Sequence, residues 1–268
     1  MFKSLATRCH WIRKIRPLPG ETRLAKAINI ERGQEVLLKV LNLPSGGRCA
    51  HNHWRCQSLS LSIPKLYNCF RFEDSIILEC EYIPGKDLHT MVVDRAEEEL
   101  PIQTILEQIL LDVKGYQRHN LSHLDIKPEN VIWDSKKQKA RLIDFESMQE
   151  HTSQGLTREL KVLGGTSAYM SPEVLRKSRI HRNTDLWGIG ILGLTILLKH
   201  NPLMTGEVEV ENLRDYGHQL LLTQHHSEEL VAWITSLLHV NPEKRSCITD
   251  TKSKIPYGSL ITNLDGIS

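Results

Sequence analysis

Hydrophobic residues along this chain follow two different periods. In its first third they come in short runs rich in Val, Ile and Leu, namely RLAKAINI, EVLLKVL and SIILECEYI, parted by the turn-forming stretches ERGQ and FED. Such runs predict strands. The stretch Ile83-Pro84-Gly85-Lys86 breaks the pattern, because Pro and Gly neither extend a central strand nor sit comfortably inside a helix. Beyond it, PIQTILEQILLDVKGYQRH sets Ile102, Ile105, Leu106, Ile109, Leu110 and Val113 three and four residues apart, the stripe of a helix with one buried face. Short strands are predicted again from Asn130 to Trp133 and around Ala140–Ile143. A Gly/Ser/Thr-rich stretch follows, then an apolar helix from Asp185 and a second helix in SEELVAWITSLLHV, which Ser227 is placed to cap. From about Cys247 the periodicity stops, as in a loose tail. The implied plan is a small strand-rich lobe, a Pro-Gly hinge and a larger helical lobe.

Composition narrows the class. The 268 residues allow one large domain or two small ones. With 34 Lys and Arg against 32 Asp and Glu, the formal charge is +2, and 25% charged with 40% hydrophobic residues is ordinary globular composition. This argues against disorder, a coiled coil, or dedicated nucleic-acid binding, which shows as a basic excess. The longest apolar run, Leu186 to Leu198, is interrupted by Gly188, Gly190, Gly193 and Thr195 and falls short of the ~20 residues of a membrane span. The basic N-terminus lacks the apolar core of a secretory signal, so a cytoplasmic location is expected. No internal repeat is visible.

The six cysteines show no CxxC spacing and read mostly as small apolar fillers. The cluster Cys49, His51, His53 and Cys56 offers four soft ligands, but in a spacing that matches none of the common zinc patterns. It is expected to be a surface segment rather than a metal site.

The chemistry concentrates in His123-Leu-Asp125-Ile-Lys127-Pro-Glu-Asn130, where an acid, a cation and an amide share one loop between a helix and a strand, stiffened by Pro128. Here the sequence resembles the eukaryotic-type protein kinase family, whose catalytic loop reads H-R-D-x-K-x-x-N. Further matches follow in order. Asp144-Phe145-Glu146 stands in the place of D-F-G, and Gly165-Thr166-Ser167-Ala168-Tyr169-Met170-Ser171-Pro172-Glu173 resembles G-T-x-x-Y-x-A-P-E. Asp185-Leu-Trp187-Gly188-Ile-Gly190 and Asn241-Pro-Glu-Lys-Arg245 resemble two later motifs. Upstream, Val36-Leu-Leu-Lys39 resembles V-A-I-K, and Glu81 to Leu88 looks like the hinge.

The resemblance implies an α+β, two-lobed protein-kinase-like fold and transfer of the γ-phosphoryl of ATP, with Mg2+, to a Ser or Thr hydroxyl of a protein substrate. It assigns Asp125 to the attacking hydroxyl, Lys127 to the phosphoryl in flight, and Lys39 to the inner phosphates. Asn130 and Asp144 become the magnesium ligands, since magnesium prefers hard oxygen atoms. The backbone at Glu81 and Ile83 would meet the adenine edge, Cys80 guards the pocket behind it, and Asp87 falls where a ribose contact is common. Lys127 and Thr166 carry the Ser/Thr preference. Glu173 and Arg245 are expected to form a buried ion pair, and Asp185 to bond the backbone of the catalytic loop. The implied boundaries are an N-terminal extension 1–17, an N-lobe and hinge 18–85, a C-lobe 86–246 and a tail 247–268.

Four departures qualify the match. Only Gly20 remains of a glycine-rich phosphate loop, and Glu21 beside it adds negative charge, which predicts weakened ATP affinity. Between Lys39 and Leu66 there is no acidic residue to pair with Lys39, and Pro44, Gly46 and Gly47 predict a stunted helix there. Glu146 replaces a glycine: it either supplies the missing acid, to Lys39 or to magnesium, or points to solvent. Leu124 replaces the arginine that answers an activation-loop phosphate, so control by loop phosphorylation is not expected, although Thr152, Ser153, Thr157, Thr166 and Ser167 lie in that segment. Retention of Lys39, Asp125, Lys127, Asn130 and Asp144 favours an active, divergent kinase over a pseudokinase scaffold. A small-molecule kinase on the same fold is disfavoured by the complete Ser171-Pro172-Glu173 motif. The weakened small lobe leaves room for a regulatory protein partner.

Overall fold

A computed structural model of the chain describes residues 2–19, 22–93, 100–151, 167–177 and 179–245. The N-terminal part consists of α1 (Phe2–Arg8), β1 (Ile12–Pro17), β2 (Leu24–Asn29), β3 (Gln34–Asn42), α2 (Leu43–Ser58), β4 (Leu66–Phe72) and β5 (Ser75–Glu81). Its strands form one antiparallel sheet in the order β1-β2-β3-β5-β4. The three strands read from sequence are β2, β3 and β5. Their neighbours β1 and β4 go beyond that reading, so residues expected as an extension ahead of the lobe supply the edge strand. Leu5, Cys9 and Ile12 pack with Val36, Leu38, Val40 and Ile77 on one face of the sheet. There Glu79, buried on β5, accepts from Trp11 Nε1 at 3.3 Å and Asn29 Nδ2 at 2.5 Å, tying the N-terminal edge to the centre.

Alternation along β3 decides where Lys39 points. Val36, Leu38 and Val40 face that first cluster, so Leu37, Lys39 and Leu41 face the opposite side, where α2 lies. The helix is not stunted: it runs sixteen residues. Asn42 caps it by accepting from Ser45 N at 3.0 Å, and Pro44 falls in the first turn, where no backbone donor is required. Gly46, Cys49, Ala50, His53 and Cys56 form its buried stripe. The Cys49–Cys56 stretch is therefore a helix with an inner face and not a surface segment, and His51 points away from that face, exposed. Among the described residues no group of three or more His, Cys, Asp or Glu is placed to hold a metal ion. Gly46 lies against Ile76 of β5 so closely that a Cβ would fall 2.4 Å from the Ile76 Cβ, whereas a Cβ on Gly47 meets nothing within 4 Å.

The C-terminal part contains β6 (Lys86–Asp87), α3 (Leu88–Val93), α4 (Ile102–Arg118), β7 (Leu121–Ser122), β8 (Val131–Asp134), β9 (Lys139–Leu142), β10 (Gln149–Glu150), α5 (Pro172–Lys177), α6 (Thr184–Leu198), α7 (Pro202–Thr205), α8 (Leu213–Thr223) and α9 (Glu228–Leu237). All fifteen residues of α6 are buried, packed among α4, α8 and α9. Ser227 caps α9 by accepting from Leu230 N at 3.3 Å. No described helix is long and apolar enough to cross a membrane. The sheet-rich first part and the helical second part make the fold α+β and two-lobed, joined through the coil Tyr82–Pro84. At that joint Gly85 adopts φ 131°, with the Trp133 carbonyl oxygen 2.3 Å from where a Cβ would stand, so no other residue fits.

The two adjacent glycines of α2 give substitutions of opposite sign. Gly46→Ala overpacks the α2–β5 contact and is expected to destabilise the protein by about 1–3 kcal/mol. Gly47→Ala gains helix propensity in open space, about 0.5–1 kcal/mol. Urea unfolding of both variants checks the pair; equal signs would contradict this packing.

Candidate active site

The loop from His123 to Asn130 is shaped by a carboxylate beneath it. Asp185, in the first turn of α6, accepts from His123 N at 2.7 Å and Leu124 N at 2.9 Å. Both bonds support the left-handed turn at Leu124, φ 66°, which precedes Asp125. Asp125 Oδ2 meets Lys127 Nζ at 2.9 Å. Asn130 Nδ2 donates to Asp125 Oδ2 and to its carbonyl, each at 2.8 Å. Pro128 opens a tight turn whose Asn130 N–H closes on Lys127 O, so acid, cation and amide converge within six residues.

The β8–β9 hairpin then returns the chain to Asp144, also left-handed at φ 65°. Asp144 Oδ1 meets Lys39 Nζ at 2.7 Å, which joins the sheet to the helical part across the cleft. Burial alone would lower the Lys39 pKa and raise that of Asp144; the attraction between them overrides both, so Lys39 is raised and Asp144 lowered. Lys39 therefore has a carboxylate partner, supplied by Asp144 rather than by α2. On α2 the group nearest in chemistry is Cys49, whose sulfur takes the Phe145 N–H and whose thiol pKa is pushed up to about 12 by burial, with Lys39 pulling the other way.

Glu146 turns neither to Lys39 nor freely to solvent. It pairs with Arg48 of α2 at 3.7 Å, while its own N–H donates to Asp144 Oδ1 at 3.4 Å. Phe145, fully buried, is ringed by His53 of α2 at 5.0 Å, His123 at 5.2 Å and Tyr116 at 6.2 Å between centroids. Burial lowers the pKa of both histidines, keeping this aromatic column neutral.

At the hinge, Cys80 is buried at the end of β5, its thiol pushed up to about 12 by burial. The Glu81 N–H is committed to Lys65 O at 2.7 Å and its carboxylate to Lys65 N at 3.1 Å, which removes that donor from any adenine edge. Ile83 lies in the open coil. Both carboxylate oxygens of Asp87 are engaged by Thr90, through N–H and hydroxyl at 2.8 Å each, so Asp87 caps α3. Gly20, Thr166, Glu21, Thr152, Ser153, Thr157 and the tail from Cys247 lie outside the described residues. Farther down, Arg245 grips both carboxylate oxygens of Glu173 at 2.7 Å and lies over Trp187, the buried pair expected from sequence.

Two groups near the site went unread in the sequence. One is the α2 set Arg48, Asn52 and Arg55, whose spacing of four and three marks one helix face. The other is Asp112 of α4, behind the hinge, which takes the Ser62 hydroxyl and feels Arg141 and Lys139, while Arg141 pairs with Glu81 at 3.8 Å.

A sheet lobe and a helical lobe, with the Lys39–Asp144 pair between them and the Asp125, Lys127 and Asn130 cluster tied to the Asp144 strand through the Ile143 N–H on Asn130 O at 2.9 Å, define a protein of the two-lobed kinase-like class. Residues 22–255 match the protein kinase domain family, and the chain belongs to that family. It is 29% identical over 197 residues to serine/threonine-protein kinase 17A of Oryctolagus cuniculus, covering 68% of this chain and 47% of that protein. To maternal embryonic leucine zipper kinase of Xenopus tropicalis it is 26% identical over 275 residues, covering 89% and 40%. To citron rho-interacting kinase of Rattus norvegicus it is 31% identical over 201 residues, covering 70% and 10%. The chain thus spans less than half the length of these relatives.

Asp112 makes stability behind the hinge pH-dependent. Burial raises its carboxyl to about 6, against the opposing Ser62 hydrogen bond and the Arg141 charge. The folded protein thus holds this proton more tightly than the unfolded chain, and the resulting stability is lost as pH rises through about 6. Asp112→Asn is expected to raise the melting midpoint at about pH 7.5 and to leave it nearly unchanged at about pH 4, by thermal melts at both.

Proposed function

We propose that the chain is a serine/threonine protein kinase that transfers the γ-phosphoryl of Mg-ATP to a protein hydroxyl, without control by a phosphate on its activation segment. The observation that carries this reading is the convergence of Asp125, Lys127 and Asn130, one backbone bond (Ile143 N–H to Asn130 O, 2.9 Å) from the residue that precedes Asp144 of the Lys39–Asp144 pair. The donor chemistry suits magnesium: with Asn130 Nδ2 committed to Asp125, its Oδ1 remains for a cation, and Asp144 offers a carboxylate, leaving the other positions to phosphates and water. Bound there, the metal supplies neutralisation of phosphate charge.

The chain's own side chains do the rest. Asp125, anchored by Lys127 and Asn130, orients the attacking hydroxyl and receives its proton. Lys127 lies 2.9 Å from Asp125 and so reaches both that hydroxyl and the charge that develops on the transferred group. Lys39 holds the inner phosphates as a point charge. The backbone at Glu81 and Ile83 supplies the hinge contact to the base, Glu81 through its carbonyl since its N–H is spent on Lys65, and Gly20 and Thr166 keep the phosphate-loop and Ser/Thr-selecting roles that the family likeness gives them. The ribose contact at Asp87 is the weakest of the proposed set, since Thr90 holds both oxygens. With Leu124 before Asp125, the loop lacks the cation that answers an activation-segment phosphate.

A second reading, a pseudokinase that holds a partner, draws on α2 carrying no carboxylate for Lys39. Phosphate incorporation from labelled Mg-ATP into the protein itself and into a generic Ser/Thr substrate separates the two. Asp125→Asn is expected to lower incorporation by about 10²-fold or more. Equal incorporation by wild type and variant would remove the enzyme reading.

A further inference from the structure

The Arg48, Asn52 and Arg55 face of α2 has no counterpart among the roles assigned so far. It lies along the strip that follows Asp144. Asn52 Nδ2 donates to the carbonyls of Phe145 at 2.7 Å and Met148 at 3.1 Å, so both amide hydrogens are spent on two backbone acceptors of one strip. One turn before it, Arg48 pairs with Glu146 at 3.7 Å; one turn after it, Arg55 pairs with Glu150. Cys56 Sγ lies 3.4 Å from Met148 Sδ beside them. Three polar rungs thus run in register between helix and strip, and the central one is bonded to backbone, where side-chain exchange along the strip cannot loosen it.

We propose that this clamp takes the place of a direct bond from α2 to Lys39, and that Arg48, Asn52 and Glu146 are positioning residues for Asp144. The geometry gives the route. Glu146 is held by Arg48 on its side chain and donates its N–H to Asp144 Oδ1, and Asn52 fixes the carbonyl of Phe145, the residue between them. The Asp144 carboxylate is therefore set by α2 through the backbone of residues 145 and 146, and Lys39 receives it ready oriented at 2.7 Å. An acid at position 146 then has a purpose that a glycine lacks. The proposal rests on the kinase reading for its consequence in catalysis, but not for the clamp itself.

The experiment uses the full chain with Arg48→Glu, which sets two acids against each other, Asn52→Asp, which turns the central donor into an acceptor facing two carbonyls, and Arg48→Glu combined with Glu146→Arg. Two readouts are taken: kcat and KM for Mg-ATP per folded protein, and hydrogen exchange in residues 43–58 and 144–150. Each single variant is expected to lower kcat at least about tenfold with a smaller change in KM, and to raise exchange in both segments together; the combined variant restores at least half of kcat and the exchange protection. A purely structural role lowers the melting midpoint and leaves kcat per folded protein unchanged, which would overturn the positioning role. If wild type transfers no phosphate, the kinase reading fails and exchange alone judges the clamp: segments that do not loosen together in Arg48→Glu and Asn52→Asp refute it.

Discussion

A lysine half-buried in the middle of a sheet needs an anion, and the 2.7 Å bond between Lys39 and Asp144 supplies it here. Because β3 is central and its alternation is fixed by the packing of Val36, Leu38 and Val40, Lys39 faces the side of the sheet where α2 lies. α2 is the neighbouring element on that side and offers no carboxylate. The anion has therefore to arrive from the other lobe, and the position of Asp144 becomes a condition on how the lobes meet. Two left-handed residues, Leu124 and Asp144, bend the backbone on either side of the β8–β9 hairpin to meet it.

The helical lobe provides the fixed side of this arrangement. Asp185 sits on a helix buried on every face and holds two successive N–H groups of the loop above it. Phe145 fills the space between the lobes with His53, His123 and Tyr116 around it. Neutral rings serve there where charged ones would not, and burial keeps both imidazoles uncharged.

Much of this was legible in sequence because its determinants are local. The loop from His123 to Asn130, the pair Glu173 and Arg245, the stripe of α4 and the cap at Ser227 each announce themselves within a few residues or by family pattern. α2 was misjudged because its buried stripe is made of Gly, Cys, Ala and His instead of the usual aliphatic residues, and because Gly46 is there for close approach to Ile76, a reason visible only in three dimensions. β1 shows one buried residue amid charged neighbours, the pattern of an edge strand, which alternation scarcely marks. The partner of Glu146 escaped for another reason: nothing in a sequence reports an ion pair between side chains nearly one hundred residues apart.

The burial of α6 on all sides has a consequence for how this protein fails. Its fifteen residues present no polar stripe, so water cannot substitute for any neighbour that leaves. Detachment of α4 or α9, which pack on it, uncovers apolar surface. Partial opening of the helical lobe is then sticky rather than benign, and loss of the folded protein on heating would proceed through aggregation, at a rate set by the opening barrier, more than through a reversible equilibrium.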